Sequence, residues 1–133
     1  MSLDSFYEQV YAVTRLIPQG MVMSYGGVAR QSGRPGLART VGYALHNLPA
    51  GSDVPWWRVV NTHGRISNSY SPEAQAELLR AEGVAVDSDL RLNMRQHDAE
   101  MIVYRKLQRL TRERESGGAE EQRSAHQRYW SLR

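Results

Sequence analysis

The sequence of 133 residues contains no cysteine. The protein therefore cannot form a disulfide, hold a metal through thiolates or use a thiol as a nucleophile. A chain of this length can bury a sufficient core in one domain without disulfides. The absence of cysteine fits a reducing compartment, although a secreted protein can also lack cysteine.

Long apolar runs are also absent. No stretch approaches the roughly 18 consecutive apolar residues that span a bilayer. The N-terminal segment has no basic region followed by an apolar one, as a secretory signal would have. We therefore expect a cytoplasmic protein that makes no contact with a membrane.

Signals for cofactors are missing too. The sequence has no Walker-type glycine loop, no dinucleotide fingerprint and no GxSxG motif. We therefore expect no cofactor, and no local motif supports an enzyme. The histidines show no ligand spacing, which predicts no metal site; they are His46, His63, His97 and His126.

Negative charge is scarce in the middle of the chain. The net charge is +3, and Asp53 is the one acidic residue between positions 20 and 65. The same segment has five arginines, namely Arg30, Arg34, Arg39, Arg58 and Arg65. Such a segment suits a polyanionic partner, although charge alone is equally compatible with a solvated basic surface.

Helical periodicity dominates the rest of the chain. Apolar spacing and breakers predict helices over 3–16, 25–31, 37–48, 72–82 and 98–115, a weak helix over 119–133, and short extended segments at 21–23 and 65–67. We predict a mainly α protein with short strands only. Residues 1–86 would form a single compact domain with a helix-turn-helix, winged-helix-like DNA-binding core. Residues 87–133 would be a helical C-terminal extension, and we expect a monomer.

The second and third helices are separated by a turn rich in glycine and proline, which is the outline of a helix-turn-helix. The third helix is the candidate recognition helix. Arg39 lies about 200° around this helix from the apolar residue Val41, at ~100° per residue, so it should point away from the core. An ordinary exposed arginine on an amphipathic helix would show the same pattern.

The adjacent tryptophans Trp56 and Trp57 are the most unusual feature. Two neighbouring side chains cannot both face one side of a strand or helix. The rings could both belong to the core around the start of a strand, or one of them could line a site.

The order of four segments resembles the C-terminal domain of the O6-alkylguanine-DNA alkyltransferases over about residues 5–84. Residues 17–26 resemble its IPxGxVxxYG motif, residues 35–42 its PxxARxVG recognition helix, residues 55–60 its PCHRVV active-site motif and residues 82–83 its terminal EG. Asn47 falls where the family has an asparagine.

The departures from this family concern the reactive group. Trp56 stands at the position of the alkyl-accepting cysteine and Trp57 at that of the proton-relaying histidine. Asn47 and Glu82 are retained without a relay between them. Because indole neither forms a thiolate nor acts as a useful base, the resemblance implies a protein that is not an enzyme. The pattern is similar to the alkyltransferase-like proteins, which bind O6-alkylguanine without repairing it and present it to nucleotide excision repair.

The resemblance implies recognition by base flipping. The third helix would enter the minor groove, and Ala38, Thr40 and Gly42 would permit close approach. Tyr25 would crowd the phosphate and Arg39 would fill the vacated space. The lesion pocket would be formed by Pro55, Trp56, Ile66, Ser67, Ser69, Tyr70 and Ser71.

The implied partners are double-stranded DNA containing alkylated guanine and nucleotide excision repair proteins. The pocket loop has Asn68, Ser69 and Tyr70 where alkyltransferase-like proteins often have a basic residue, so Arg65 or another residue substitutes, or lesion discrimination differs. The first alternative is a helix-turn-helix DNA-binding protein without lesion specificity. A glycosylase acting from the same pocket is ranked last, because the sequence shows no suitably placed acid.

Overall fold

The computed structural model describes residues 3–116. The elements within this range are α1 (Leu3–Arg15), β1 (Met23–Ser24), α2 (Tyr25–Gln31), α3 (Ala38–His46), a 3₁₀ helix (Trp56–Arg58), β2 (Val59–Val60), α4 (Pro72–Ala81), α5 (Met94–His97) and α6 (Glu100–Ser116). The prediction of a mainly helical domain with short strands is confirmed. The helix predicted over 119–133 lies outside the described residues.

The recognition helix α3 is shorter than predicted at its C-terminal end. It ends at His46, and Asn47 is the C-cap residue with φ −93° and ψ 17°. Leu48 precedes Pro49, whose ring disfavours the helical conformation of the residue before it. The helix therefore stops before Leu48, although Leu48 continues the apolar pattern.

The two strands join distant parts of the chain. They pair in parallel, with Met23 opposite Val59 and Ser24 opposite Val60. All four residues are buried. This pairing fixes the start of α2 beside the 3₁₀ helix that carries the double tryptophan.

The short strand predicted at 65–67 does not form. Arg65 makes an isolated antiparallel bridge with Arg91, and the pairing ends with the hydrogen bond from Ile66 N to Leu90 O at 2.9 Å. Ser67 is exposed and begins the loop 67–71. A single bridge is too short to count as a strand. The pairing does not continue, because the chain turns away after Ile66 to reach α4.

Two apolar clusters form the core. The first lies among α1, α2 and α3 and includes Phe6, Val28 and Val41. The second lies beneath α4 and includes Val60 and Leu79.

Residues after position 86 belong to both clusters. Leu92 is buried in the second cluster, and Ala99 and Val103 are buried in the first. Val22 and Asp98 form a parallel bridge. The described part of the predicted C-terminal extension is thus packed on the domain. Within residues 3–116 no helix is long and apolar enough to cross a membrane.

Candidate nucleic-acid interface

The helix-turn-helix is formed by α2 and α3. Ser24 caps α2, accepting a hydrogen bond from the backbone N of Gly27 at 2.9 Å. Gly33 and Gly36 in the connecting turn have φ of +87° and +94°, a region that favours glycine. The breaker-rich turn predicted from the sequence is therefore needed to redirect the chain into α3.

The recognition helix presents Arg39 to the surface as predicted. Val41, Ala44 and Leu45 are buried on its inner face, whereas Arg39 is exposed. The helix is held from behind by Tyr11, whose hydroxyl donates to Ala44 O at 2.8 Å.

A cleft of about 960 Å³ lies between α3 and the loop 67–71. It brings together most of the residues that the family resemblance assigned to DNA and the lesion: Tyr25, Ala38, Arg39, Gly42, Trp56, Ser67, Ser69, Tyr70 and Ser71. Three others do not line it. Pro55 and Ile66 are buried, and Thr40 is half-buried on α3.

The lining of the cleft is rich in aromatic rings, namely Tyr25, Tyr43, His46, Trp56 and Tyr70. The rings of His46 and Tyr70 stack, with centroids 3.7 Å apart and planes inclined by 14°. This stack connects the C-terminal end of α3 to the loop. Tyr43 and His46 were missed in the sequence, although they follow Arg39 at four and seven positions and so share its face of the helix.

Tyr25 connects α2 to the same loop. Burial raises the pKa of the Tyr25 hydroxyl, and a hydrogen bond with the Ser67 side chain opposes this shift. The phenol is therefore neutral at physiological pH. Its ring also faces α3, since an added Cβ on Gly42 would lie 3.9 Å from Tyr25 Cε1.

The two tryptophans have different environments. Their rings are nearly perpendicular, inclined by 86° with centroids 6.0 Å apart. Trp56 lines the cleft and packs on the first cluster. Trp57 packs on the second cluster and its Nε1 donates to Glu82 Oε2 at 2.8 Å. One ring therefore lines the site and the other serves the core.

Glu82 is the centre of a structural network. Arg58 Nη2 donates to Glu82 Oε2 at 2.7 Å and Arg58 Nη1 to Ile17 O at 2.8 Å. Gly20 N donates to Glu82 Oε1 at 3.0 Å. Burial alone would raise the pKa of Glu82, but the hydrogen bonds from Arg58, Gly20 and Trp57 outweigh it and hold the pKa below its ordinary value.

Asn47 stands apart from this network. Its Nδ2 donates to Tyr43 O at 2.8 Å, so the side chain bonds back to its own helix. Among the described residues no three His, Cys, Asp or Glu side chains come together as a metal site would require. Arg65 is exposed and is not among the residues that line the cleft.

Fold and cleft together define a helix-turn-helix DNA-binding protein with an aromatic cleft beside its recognition helix. Residues 5–84 match the family described as 6-O-methylguanine DNA methyltransferase, DNA binding domain. The chain belongs to this family. It has no cysteine and hence no residue that could accept an alkyl group in the way of the methyltransferases.

Individual relatives agree with this assignment. The chain is 43% identical over 96 residues to a DNA base-flipping protein of Vibrio parahaemolyticus, a match that covers 71% of this chain and 96% of the relative. It is 42% identical over 89 residues to alkyltransferase-like protein 1 of Schizosaccharomyces pombe, covering 65% and 82% of the two chains.

A solved structure is similar over the same region. The crystal structure of S. pombe Atl1 in complex with damaged DNA containing O6-carboxymethylguanine has a TM-score of 0.71 and 37% sequence identity. The match covers 74% of this chain and 97% of that one.

Proposed function

We propose that this protein recognises O6-alkylguanine in duplex DNA by flipping the damaged base into the cleft, without repairing it. The observation that carries the proposal is the position of Trp56. It lines the cleft beside the recognition helix, and it stands at the position that the family resemblance gives to the acceptor cysteine. The cleft can therefore hold a base but cannot take its alkyl group. The S. pombe protein bound to O6-carboxymethylguanine DNA supports this proposal.

Stacking on the aromatic lining of the cleft can offset the free-energy cost of holding a base outside the duplex. Flipping a base costs a few kcal/mol, and stacking one base on an aromatic side chain returns about 1–3 kcal/mol. Trp56 and Tyr70 offer such surfaces. Arg39, exposed on α3, would occupy the space left in the duplex, and Tyr25 would press on the backbone beside the flipped nucleotide.

Titration at matched salt tests lesion recognition. We expect tighter binding to a duplex with one O6-methylguanine than to the unmodified duplex, with the lesion recovered unchanged after digestion and chromatography. Equal affinity for both would support a helix-turn-helix protein without lesion specificity. Release of free base would support a glycosylase.

Variants of two residues test the assigned roles. Arg39→Ala and Tyr25→Phe should each weaken lesion binding, because each removes a group that holds the base out of the duplex. The fluorescence of 2-aminopurine placed next to the lesion rises when its neighbour leaves the stack, so this rise should be smaller with both variants than with the wild-type protein. The matched control is Arg105→Ala, which removes an exposed arginine of α6. Unchanged affinity in both Arg39→Ala and Tyr25→Phe would contradict the assignment.

We infer further that the bound lesion is passed to nucleotide excision repair and that one monomer binds one lesion. The support is chemical: a protein without an acceptor leaves the lesion in place, so another activity must remove it. Recruitment of a purified excision-repair damage sensor to lesion duplex, only when this protein is present, tests the first inference. A binding stoichiometry of one chain per lesion tests the second.

A further inference from the structure

Two arginines lie directly opposite each other where the segments 61–66 and 87–92 meet. Arg65 and Arg91 form an antiparallel bridge. The flanking bonds run from Ile66 N to Leu90 O at 2.9 Å and from Leu92 N to Gly64 O at 2.8 Å. This pattern defines a non-hydrogen-bonded pair, in which the Cα atoms are about 4.5 Å apart and the side chains lie close together on one face.

The backbone beneath this pair is held firmly. Gly64 has φ +78°, and a Cβ there would come within 2.6 Å of Leu92 O. Asn61 Oδ1 accepts hydrogen bonds from the backbone N of His63 at 3.0 Å and of Arg65 at 2.8 Å. Ile66 and Leu92 are buried below, whereas both arginines are exposed. The two guanidinium groups therefore stand on a preformed support.

Neither guanidinium is neutralised by a described carboxylate. The ion pairs of residues 3–116 involve other arginines. The nearest acid in the sequence, Asp89, is in none of these ion pairs. Asp87, four residues before Arg91, uses its Oδ1 to accept from the backbone N of Asp89 at 2.9 Å and of Arg91 at 3.0 Å. Like charges placed directly opposite each other destabilise a pairing. A bound anion would remove this repulsion.

The position of the pair points to the anion. Asn61 and Thr62, which precede Arg65 in the sequence, line the cleft, and so do Ser67 and Asn68, which follow it. The turn that carries Arg65 is thus part of the rim of the cleft. Guanidinium groups are suited to phosphate oxygens in particular, because their N–H donors form a planar fork.

We propose that Arg65 and Arg91 together bind one backbone phosphate of the duplex whose base enters the cleft. The contact is separate from the recognition helix and carries no sequence or lesion information, since phosphates are alike at every position. It would anchor the DNA on the side of the cleft opposite α3. This inference rests on the proposed binding of DNA, but it does not require selectivity for a lesion.

The test measures binding as a function of salt for Arg65→Gln, Arg91→Gln and the double variant, with unmodified and O6-methylguanine duplexes. For a single shared phosphate, the slope of log K against log salt should fall in magnitude by about 0.9 in the double variant. Affinity should fall by the same factor for both duplexes. The single variants should be non-additive, because they lose the same contact.

Arg105→Gln, at an exposed position of α6, is the matched control and should keep the wild-type slope. Thermal unfolding should show the variants at least as stable as wild type, because a like-charge opposition has been removed. An unchanged slope in the double variant overturns the proposal. Additive losses with a slope change of about 1.8, the value for two phosphates, overturn the sharing of one phosphate. Equal wild-type affinity for the two duplexes would instead reject lesion recognition and leave this contact standing.

Discussion

At the scale of single residues, the exchange of cysteine and histidine for two tryptophans changes two separate parts of the molecule. Trp56 lines the cleft, and Trp57 donates to Glu82 on the other side of the segment. The first exchange removes the reactive atom. The second replaces an acid–base group by a donor that only holds Glu82 in place. By the resemblance to the methyltransferases, both positions that alkyl transfer would need are thus occupied by tryptophan.

Restoring the thiol alone should not restore alkyl transfer. In Trp56→Cys the new thiol would have no base beside it, and a thiol is a weak nucleophile until it is deprotonated. We expect no transfer of labelled methyl from O6-methylguanine DNA to this variant. The double variant Trp56→Cys/Trp57→His, which places an imidazole beside Glu82, should show measurable transfer. Equal rates for the single and double variants would contradict the role given to position 57.

The network of Glu82 should contribute to stability in a pH-dependent way. Arg58 and Glu82 are only 14% and 9% exposed, and loss of one partner of a buried pair costs roughly 3–5 kcal/mol. We expect Glu82→Gln to lower the free energy of unfolding at pH 7 by roughly 3 kcal/mol. Because the folded pKa of Glu82 is lowered, this contribution is present above the unfolded pKa of about 4.3 and is lost as pH falls through the folded pKa.

Urea unfolding of wild type and Glu82→Gln from pH 7 down to pH 3 measures this difference. Glu77→Gln is the matched control, because Glu77 pairs with Arg80 at the surface and is 74% exposed. Such a pair contributes at most about 1 kcal/mol. A Glu82→Gln difference that stayed constant with pH would show that the charge of Glu82 is not the source of the stabilisation.

At the scale of elements, one face of α3 and the loop 67–71 create the site together. Arg39, Gly42, Tyr43 and His46 lie along the outer face of the helix, and the stack of His46 on Tyr70 joins helix and loop. Local periodicity was enough to orient Arg39, since the apolar stripe defines the inner face. The stack could not be foreseen, because the loop has no period that fixes where its rings point.

Replacing Gly42 by alanine tests whether α3 approaches DNA closely at this position, without destabilising the fold. A Cβ at this position would meet only Tyr25 Cε1, at the ordinary contact distance of 3.9 Å. Replacing a helical glycine by alanine stabilises by about 0.5–1 kcal/mol. We therefore expect Gly42→Ala to unfold at a higher urea concentration but to bind both modified and unmodified duplexes more weakly. Unaltered DNA affinity in a stabilised variant would show that α3 does not approach the groove at Gly42.

At the scale of the whole molecule, residues far apart in the chain hold the site in place. The parallel pairing of β1 with β2 fixes α2 beside the tryptophans. The bridge of Val22 with Asp98, and the ion pair of Arg30 Nη2 with Glu100 Oε1 at 2.7 Å, fix the start of α6 against the helix-turn-helix. The segment after residue 86 is therefore expected to matter for the stability of the DNA-binding core.

Truncation tests this expectation. A chain of residues 1–86 lacks Leu92, Ala99 and Val103, which are buried in the two clusters. We expect it to lose cooperative thermal unfolding, because both clusters would be opened to water. A chain of residues 1–116 keeps these side chains and should unfold cooperatively. Cooperative unfolding of both chains at the same temperature would show that residues 87–116 are dispensable for the fold.

The sequence by itself determined which chemistry is excluded and where the longer helices form. The absence of cysteine needs no structure to exclude an acceptor, and the periodicity of α1, α3 and α4 is a local property of the chain. The family resemblance also identified nine of the residues that line the cleft, among them Arg39 and Trp56. Tertiary structure alone decided that Trp56 faces the cleft while Trp57 bonds to Glu82, and that Arg65 stands opposite Arg91. These outcomes depend on which distant segments pack together, and neither composition nor spacing contains that information.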